Sequence, residues 1–356
     1  MKQNFAILGG GNGGQVIAAY LKLCGKHVSL YERFAPVLEP IRAQGGIQLE
    51  GVSKTGFAKL DVITSDVAEA VAGAEVIFVV LPAFAHAYVA EQLAPCLVDG
   101  QTIIVCPGST GGALEFRAIW NRAGATAKVR LCETNSLFYA ARAKDGVATI
   151  AGVKTVLSLA ALPSSDTQSI IDDLADVYPQ LIPAANVLET SLNNMNAVVH
   201  PLPVLLNAGR IESGVPFRHY VDGVTPAVGD LVERLDNERV AVGAAFGLDV
   251  LSFRKSYEVY YNITGEKISD LCHKSTAHAG IMAPSTLDSR LITEDVPMGL
   301  VPMSALGKLA GVPTPIIDSV ITLTGAMLGR DFWSTGRTLD SLGLTGMSCE
   351  QLKASL

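Results

Sequence analysis

The chain has 356 residues, 49% of them hydrophobic and 17% charged, so it is long enough to bury two domain cores and too apolar to be disordered. Its net charge is −7 and it contains no cluster of lysines and arginines, which argues against nucleic acid as a partner. The longest apolar stretches, such as 76–81, have the length of strands, and the first strand begins almost at Met1. We therefore expect neither a membrane span nor a signal peptide.

The first predicted element is an apolar strand over 5–8 that leads into a glycine-rich turn and then into an amphipathic helix. The turn contains the three glycines of the G-x-G-x-x-G dinucleotide fingerprint, in the strand–turn–helix context that the fingerprint requires. The first glycine permits the tight turn, the second lets the backbone approach a pyrophosphate, and the third allows the helix to pack closely on the sheet. The predicted phosphate-binding residues at the start of the helix are Gly9, Gly11, Asn12, Gly13 and Gly14.

A second strand over 26–31 ends at Glu32, where a carboxylate is expected to meet the ribose of an adenosine. Because a carboxylate repels a 2′-phosphate, Glu32 favours NAD as the cofactor. The neighbouring Arg33 leaves NADP as an alternative, since an arginine at this position could pair with that phosphate. A solvated surface charge is the simpler interpretation of Arg33.

The rest of the N-terminal half alternates between predicted strands and helices. The further strands expected there are a hairpin of 46–50 with 59–63 and the buried strands 75–81, 102–106 and 129–133. Continuous apolar strands separated by helices are typical of a doubly wound, mainly parallel sheet. The sequence therefore predicts an α/β fold, with a Rossmann-type dinucleotide-binding domain over 1–185 and an all-α substrate and catalytic domain over 186–356.

Ligands bind outside the carboxyl ends of the strands in open α/β sheets. Pro82 follows one buried strand, and Pro107 and Gly108 begin a loop of small residues after the next. We expect these three residues to contact the cofactor. Thr134, at the end of a third strand, is a candidate to offer its hydroxyl to a substrate. Ordinary βα turns are the alternative interpretation of these loops.

Helical periodicity dominates the C-terminal half, where the predicted helices are 188–213, 226–246, 249–262, 301–310 and 313–328. Within the first of them, Asn196 and His200 are one turn apart on the same face, and Pro201 strains or restarts the helix at that point. Polar groups beside a helix break in apolar sequence are a candidate site for a proton donor. A buried structural histidine is the alternative for His200.

Two other segments of the C-terminal half carry charged or polar candidates. Arg290 presents a bidentate fork that suits a substrate carboxylate, and Asp295 could orient a histidine, although from the residues alone a surface ion-pair cluster is the simpler interpretation. In the loop over 212–225, Glu212, Tyr220 and Asp222 are candidates for recognising a cationic or polar amine, and solvated loop residues are the alternative. The sequence leaves the identity of that amine open.

At these residues the chain resembles the opine dehydrogenases, the family of octopine and nopaline synthases, and in particular their bacterial N-(1-D-carboxyethyl)-L-norvaline dehydrogenase. The resemblance covers the whole chain. The glycine turn is common to many dehydrogenases, whereas the histidine–proline and arginine-x4-aspartate motifs together are far more specific. The segments that carry the resemblance are 6–14, 107–117, 196–208, 290–296 and 336–339.

The resemblance implies a reversible reaction in which a pyruvate-like α-keto acid condenses with the amino group of an amino acid. The resulting imine is then reduced by a nicotinamide cofactor. The resemblance also implies that His200 is catalytic, that Asp295 supports it and that Arg290 binds a substrate carboxylate. Asn196 and Thr134 are further candidate substrate contacts.

Two other functions fit part of the pattern. A dehydrogenase of hydroxy acids or polyol phosphates usually relies on a lysine in its helical domain, and no lysine lies between Lys154 and Lys255. A dinucleotide-binding sensor would bind NADH without turning over any keto acid and amine.

The six cysteines are scattered without the spacing of metal ligands, so we expect reduced thiols, no metal site and a cytoplasmic location. The apolar C-terminal helices could bury a homodimer interface, so the sequence leaves the oligomeric state open.

Overall fold

The computed structural model describes all 356 residues and divides into two compact units, Met1–Thr190 with Leu356 and Ser191–Ser355. The first unit contains strands and helices, and the second is built from helices, which confirms the predicted Rossmann-type α/β unit followed by an all-α unit. The two units meet in sequence inside one helix, a few residues beyond the boundary expected between 185 and 186.

The first unit contains twelve strands. They are β1 (Asn4–Leu8), β2 (His27–Tyr31), β3 (Gly46–Gly51), β4 (Gly56–Lys59), β5 (Val62–Thr64), β6 (Val76–Val79), β7 (Thr102–Val105), β8 (Arg130–Thr134), β9 (Tyr139–Lys144), β10 (Val147–Val153), β11 (Leu157–Leu162) and β12 (Leu181–Pro183). The α-helices that begin in this unit are α1 (Asn12–Leu23), α2 (Ala35–Gln44), α3 (Val67–Val71), α4 (His86–Leu93), α5 (Gly112–Arg122), α6 (Thr167–Leu174) and α7 (Val187–Leu192). Short 3-10 helices cover Ala83–Ala85, Ala94–Cys96 and Ser164–Asp166.

Eight strands form the main sheet, in the order β12-β11-β8-β7-β6-β1-β2-β5. All neighbours are parallel except β8 and β11, which are antiparallel. The chain leaves β1 toward β2 on one side and continues from β6 through β7 to β8 on the other, so the strand order reverses between β1 and β6. This reversal is the topological switch point at which doubly wound sheets bind their ligands.

A second sheet of four strands, in the order β4-β3-β10-β9, joins residues that are about a hundred positions apart in sequence. The predicted hairpin of 46–50 with 59–63 is wrong in its second strand. The strand antiparallel to β3 is Gly56–Lys59, whereas residues 62–64 pair in parallel with β2 at the edge of the main sheet. The chain turns away at Leu60 and Asp61, where the Asp61 carboxylate accepts from the backbone N–H of Val28 at 2.7 Å. This bond fixes the second segment on the main sheet.

The central strands of the main sheet lie inside the core of the first unit, since every residue of β6 and β7 is buried. Aromatic side chains fill the space beside β6: the rings of Phe138 and Tyr178 lie 4.1 Å apart, and Phe78 packs edge-on against both. Burying one such side chain stabilises the folded state by about 1.5–3 kcal/mol. The sheet that carries the glycine turn is therefore rigidly supported.

The second unit contains the helices α8 (Asn196–Val199), α9 (Pro201–Leu206), α10 (Ala208–Glu212), α11 (Pro226–Ala245), α12 (Phe253–Tyr261), α13 (Ile268–Lys274), α14 (Arg290–Thr293), α15 (Val301–Ala310), α16 (Pro315–Leu328), α17 (Phe332–Thr335) and α18 (Cys349–Ala354). A π-helix covers Val296–Leu300 and runs directly into α15. None of the helices combines the length and the apolar character needed to cross a bilayer.

The structure divides the helical segment predicted over 188–213 into α7, α8, α9 and α10, so the restart expected at Pro201 is present and two further breaks were not predicted. Pro201 causes the central break, because its ring nitrogen carries no hydrogen to donate to the preceding turn. His200 is thus both the C-cap of α8 and the N-cap of α9.

Candidate active site

The glycine turn after β1 is held in a conformation that only glycine permits at two positions. Gly9 has φ = +122°, and a Cβ on it would lie 2.2 Å from the carbonyl oxygen of Val80. A Cβ on Gly14 would lie 1.7 Å from the carbonyl oxygen of Gly9, so α1 could not start where it does. These two glycines shape the turn, and their role as cofactor contacts stays a prediction.

Gly11 has the opposite surroundings. It is exposed, a Cβ added to it would meet nothing within 4 Å, and it caps the 12-residue helix α1 with an extended backbone. The neighbouring Asn12 is also exposed and uses its side-chain oxygen to accept from the N–H of Ala143 at 2.8 Å. The open space at the N-terminus of α1 fits the pyrophosphate of a dinucleotide, because the helix dipole and free N–H groups favour an anion there.

Glu32 is almost fully buried behind this turn. One carboxylate oxygen accepts from the N–H of Gly10 at 2.8 Å, and the other accepts from the N–H of Phe34 at 2.9 Å. The carboxylate therefore fixes the glycine turn as well as placing a negative charge where the sequence predicted it. Arg33 is exposed and lies over the ring of Tyr88, with 4.3 Å between its guanidinium carbon and the ring centroid.

The loops after β6, β7 and β8 lie at the carboxyl ends of adjacent parallel strands, as predicted for Pro82, Pro107 and Gly108. Gly108 donates its N–H to the carbonyl of Thr134 at 3.0 Å, and a Cβ on it would lie 2.4 Å from a carboxylate oxygen of Glu133. That fully buried carboxylate also accepts from the first turn of α5, at the N–H of Ala113, at 2.8 Å. Glu133 thus shapes the loop, a role that the sequence analysis missed.

Thr134 is fully buried, and its hydroxyl donates to the carbonyl of Ser136 at 2.9 Å. This contact stabilises the turn after β8. The role of Thr134 as a substrate contact stays a prediction.

In the second unit, the break at Pro201 places His200 against the π-helix. Packing there is very close, because a Cβ on Gly299 would lie 2.5 Å from the Cβ of Ala197 in α8. Asp295, which caps the π-helix, is brought to His200 by this contact. π-helical turns are rare and often occur at functional sites.

Both ring nitrogens of His200 have partners. Nδ1 lies 2.7 Å from a carboxylate oxygen of Asp295, and Nε2 lies 3.0 Å from the hydroxyl of Tyr220. The His200 and Asp295 side chains are 14% and 12% exposed, so little water competes with their bond. With the carboxylate accepting from Nδ1–H, neutral His200 carries its lone pair on Nε2 and can take up a proton there.

The structure places two further candidates of this unit, Arg290 and Asn196, on its surface. The Arg290 side chain is 70% exposed, and its Nε lies 3.3 Å from a carboxylate oxygen of Glu294 in the next turn. Asn196 is exposed at the start of α8, one turn before His200, and its carbonyl accepts from the N–H of His200 at 2.9 Å. Asp222 binds the Arg218 side chain with both carboxylate oxygens, so its charge is already compensated.

His219 packs beside His200, with 5.9 Å between the ring centroids, and its Nε2 lies 3.1 Å from the carbonyl of Val199. Burial, reinforced by the nearby His200, lowers the pKa of His219 to about 4. Because the unfolded chain binds this proton near pH 6.5, we expect the second unit to lose stability as the pH falls from about 6.5 to about 4. The expected loss is about 3 kcal/mol.

This loss is measured by urea unfolding of the wild type and of His219→Gln between pH 7.5 and pH 4.5. All other groups titrate in both proteins, so the pH dependence of their difference reports His219. The variant should show the shallower dependence. Parallel curves would mean that His219 takes up its proton equally well in the folded and unfolded chains.

Comparison with known proteins places the chain in a family. Residues 183–328 match the α-helical domain of NAD/NADP octopine/nopaline dehydrogenases, and residues 4–109 match the N-terminus of NAD-dependent glycerol-3-phosphate dehydrogenase. An opine dehydrogenase of Arthrobacter sp. (strain 1C) is 41% identical over 355 residues, which cover 99% of both chains. The chain belongs to the opine dehydrogenases. Vitopine synthase of Allorhizobium ampelinum is 28% identical over 86% of this chain and 84% of its own.

Solved structures of the family share the fold. Octopine dehydrogenase with NADH and L-arginine superposes with a TM-score of 0.84 at 22% identity, over 99% of this chain and 98% of that one. Yersinopine dehydrogenase with NADP+ superposes with a TM-score of 0.75 at 16% identity, over 99% of this chain and 97% of that one. As a member of the opine dehydrogenases, the enzyme is an NAD(P)-dependent oxidoreductase acting on a CH–NH group, and it condenses a keto acid with an amino acid reductively.

Proposed function

We propose that His200 is the acid–base catalyst of this opine dehydrogenase, that Asp295 fixes its tautomer and that Arg290 binds the carboxylate of the keto acid. The observation that carries the proposal is the part-buried 2.7 Å bond between His200 Nδ1 and Asp295. A histidine oriented by a carboxylate in this way has one defined proton-accepting nitrogen, as general acid–base catalysis requires.

The chemistry needs one group that holds a proton and returns it. Attack of an amine on the keto carbon gives a carbinolamine, and an imine forms only after the carbinolamine hydroxyl leaves as water. His200 accepts at Nε2 the proton that the attacking nitrogen releases and returns it to the alkoxide oxygen, which gives the carbinolamine hydroxyl. A second proton, which His200 takes from water, then lets that hydroxyl leave as water and gives a protonated imine, which needs only a hydride to become the amine. Asp295 stabilises the cationic ring between these steps. Groups of this kind contribute about 10²–10⁴-fold to the rate.

The cofactor, when bound, supplies a hydride from its reduced nicotinamide to the imine carbon. We propose that the backbone of Gly11, Asn12 and Gly13 holds the pyrophosphate and that Glu32 faces the adenosine ribose. Pro82, Pro107 and Gly108, on neighbouring loops, complete the proposed contacts. The negative charge of Glu32 supports a preference for NADH, and the exposed guanidinium of Arg33 keeps NADPH as the alternative.

The substrate pair that we propose is an amino acid and a pyruvate-like keto acid. Solved structures of octopine dehydrogenase with L-arginine, with agmatine and with pyruvate support this class. Asn196 and Thr134 are the further substrate contacts proposed. A cytoplasmic location, supported by six cysteines that are all free, and a homodimer stay predictions.

The proposal for Arg290 is tested by Arg290→Lys. A lysine keeps the charge but lacks the bidentate fork, so we expect kcat/KM for the keto acid to fall about tenfold to a hundredfold. The KM for the amino acid and the Kd of NADH should stay within twofold. Steady-state kinetics with each substrate varied in turn measure the effect.

Arg330→Lys is the matched control, because Arg330 is also an exposed arginine, 2.9 Å from Asp288. It should leave all constants unchanged. An unaltered keto-acid KM and kcat in Arg290→Lys would remove Arg290 from the proposed site.

A further inference from the structure

In the second unit, the hydroxyl of Tyr220 contacts Nε2 of His200, the ring nitrogen that is proposed to take up the proton. The hydroxyl of Tyr220 lies 3.0 Å from Nε2 of His200, on the opposite side of the ring from Asp295. Tyr220 is only 6% exposed, so this is a hydrogen bond inside the protein rather than a surface contact. The acid–base chemistry derived above assigns no role to it.

The backbone around Tyr220 is fixed on both sides. His219 donates its N–H to the carbonyl of Ile281 at 2.8 Å, and Ala283 donates to the carbonyl of Phe217 at 2.8 Å, so the segment pairs with a neighbouring stretch of chain. On the other side, Asp222 accepts from the backbone N–H of Arg218 at 2.8 Å. The phenol therefore has little freedom to leave His200 through backbone motion.

The ring of Tyr220 is also held by aromatic neighbours. Its centroid lies 4.8 Å from that of His219 and 4.6 Å from that of His278. The Nδ1 atom of His278 in turn lies 2.7 Å from the hydroxyl of Ser275 and 3.2 Å from the hydroxyl of Tyr257, both of which are buried. This packing orders the Tyr220 side chain before any substrate binds.

A phenol can serve both protonation states of an imidazole. It donates to the Nε2 lone pair when the ring is neutral, and its oxygen accepts from Nε2–H when the ring is cationic, after a rotation of the hydroxyl. Burial raises the pKa of Tyr220, so the phenol stays protonated through the pH range of the reaction. The bond to the cationic ring is the stronger of the two, because charge-assisted hydrogen bonds are about twice as strong as neutral ones.

We propose that Tyr220 relays the proton between the substrate and Nε2 of His200, and that its hydrogen bond holds the His200 ring in one orientation during the transfer. Asp295 and Tyr220 hydrogen-bond to the two ring nitrogens. Because Nε2 has a single lone pair and the tyrosine hydroxyl occupies it, the proton passes through the tyrosine oxygen: the hydroxyl gives its hydrogen to Nε2 as the oxygen takes a proton from the substrate, and the reverse transfer returns it. This inference rests on the proposed role of His200.

Tyr220→Phe removes the hydroxyl and keeps the ring that packs on His219 and His278. We expect kcat for the reductive reaction to fall about tenfold or more, since the cationic ring loses a charge-assisted hydrogen bond. The KM of both substrates and the Kd of NADH should stay within twofold, because the hydroxyl acts on His200. Tyr261→Phe is the matched control, since Tyr261 contacts the same His278 ring at 5.1 Å and should keep kcat within twofold.

A kcat within twofold of wild type in Tyr220→Phe would overturn the proposal, as would a loss of kcat matched by equal increases in KM and Kd.

If Tyr220→Phe does not fold, the wild-type enzyme labelled with ¹⁵N-histidine gives a second test by NMR. The His200 signal, identified by its loss in His200→Gln, should show the proton on Nδ1 and a hydrogen-bonded Nε2. A proton on Nε2 of the neutral ring would overturn the proposal. Full turnover in His200→Gln itself would instead refute the role of His200.

Discussion

Replacing His200 with glutamine should lower kcat by about 10²–10⁴-fold while leaving the Kd of NADH within twofold of wild type. Glutamine is close to histidine in size and polarity, so it can keep a hydrogen bond to Asp295, but it cannot take up and return a proton near neutral pH. Loss of a group that acts only as the reaction proceeds lowers kcat without changing cofactor binding. Stopped-flow NADH oxidation and fluorescence titration measure the two constants.

His27→Gln is the matched control for this variant. His27 begins β2 in the first unit, and its side chain is 71% exposed, so the same substitution there should change neither constant. Unchanged turnover in His200→Gln would show that proton transfer passes through another group. A weakened Kd for NADH with normal turnover would show that His200 contributes to cofactor binding and not to the chemistry.

The residues of the catalytic pair could be named from the sequence, but their contact could not be derived from it. His200 and Asp295 are separated by 95 positions, and they meet because Gly299 allows the π-helix to approach α8. Neither the π-helix nor this close approach has a periodic signal in the sequence. Tyr220 was identified only as a candidate for amine recognition, because its bond to His200 depends on three separate segments folding together.

The first strand–turn–helix unit was predictable because its signals are local. An apolar run, three glycines at fixed spacing and an amphipathic helix specify it within about twenty residues. The second sheet shows the opposite case. Its central pair, β3 and β10, is parallel and joins segments about a hundred residues apart, and no local pattern specifies such a pairing. The error in the hairpin partner of β3 has the same origin.

Gly11→Ala should raise the Kd of NADH at least tenfold while leaving the fold intact. Gly11 has φ = −72° and ψ = −173°, a backbone conformation that alanine adopts freely, and an added methyl group would meet no atom of the protein within 4 Å. The methyl group would instead occupy the space proposed for the pyrophosphate. A tenfold loss of affinity corresponds to about 1.4 kcal/mol. The loss of a glycine at the helix cap should shift the unfolding midpoint by no more than about 4 °C.

Two further glycine variants separate ligand binding from folding. Gly14→Ala places a methyl group 1.7 Å from the Gly9 carbonyl oxygen, so the turn must move. The unfolding midpoint should therefore fall, and NADH binding should be lost with it. Gly209→Ala, in helix α10, also adds a methyl group to open space and should leave the Kd of NADH unchanged. If Gly11→Ala binds NADH as tightly as Gly209→Ala does, the pyrophosphate does not lie over Gly11. If Gly11→Ala instead unfolds as readily as Gly14→Ala, the glycine is required by the turn itself, and the open space above it has no bearing on the cofactor.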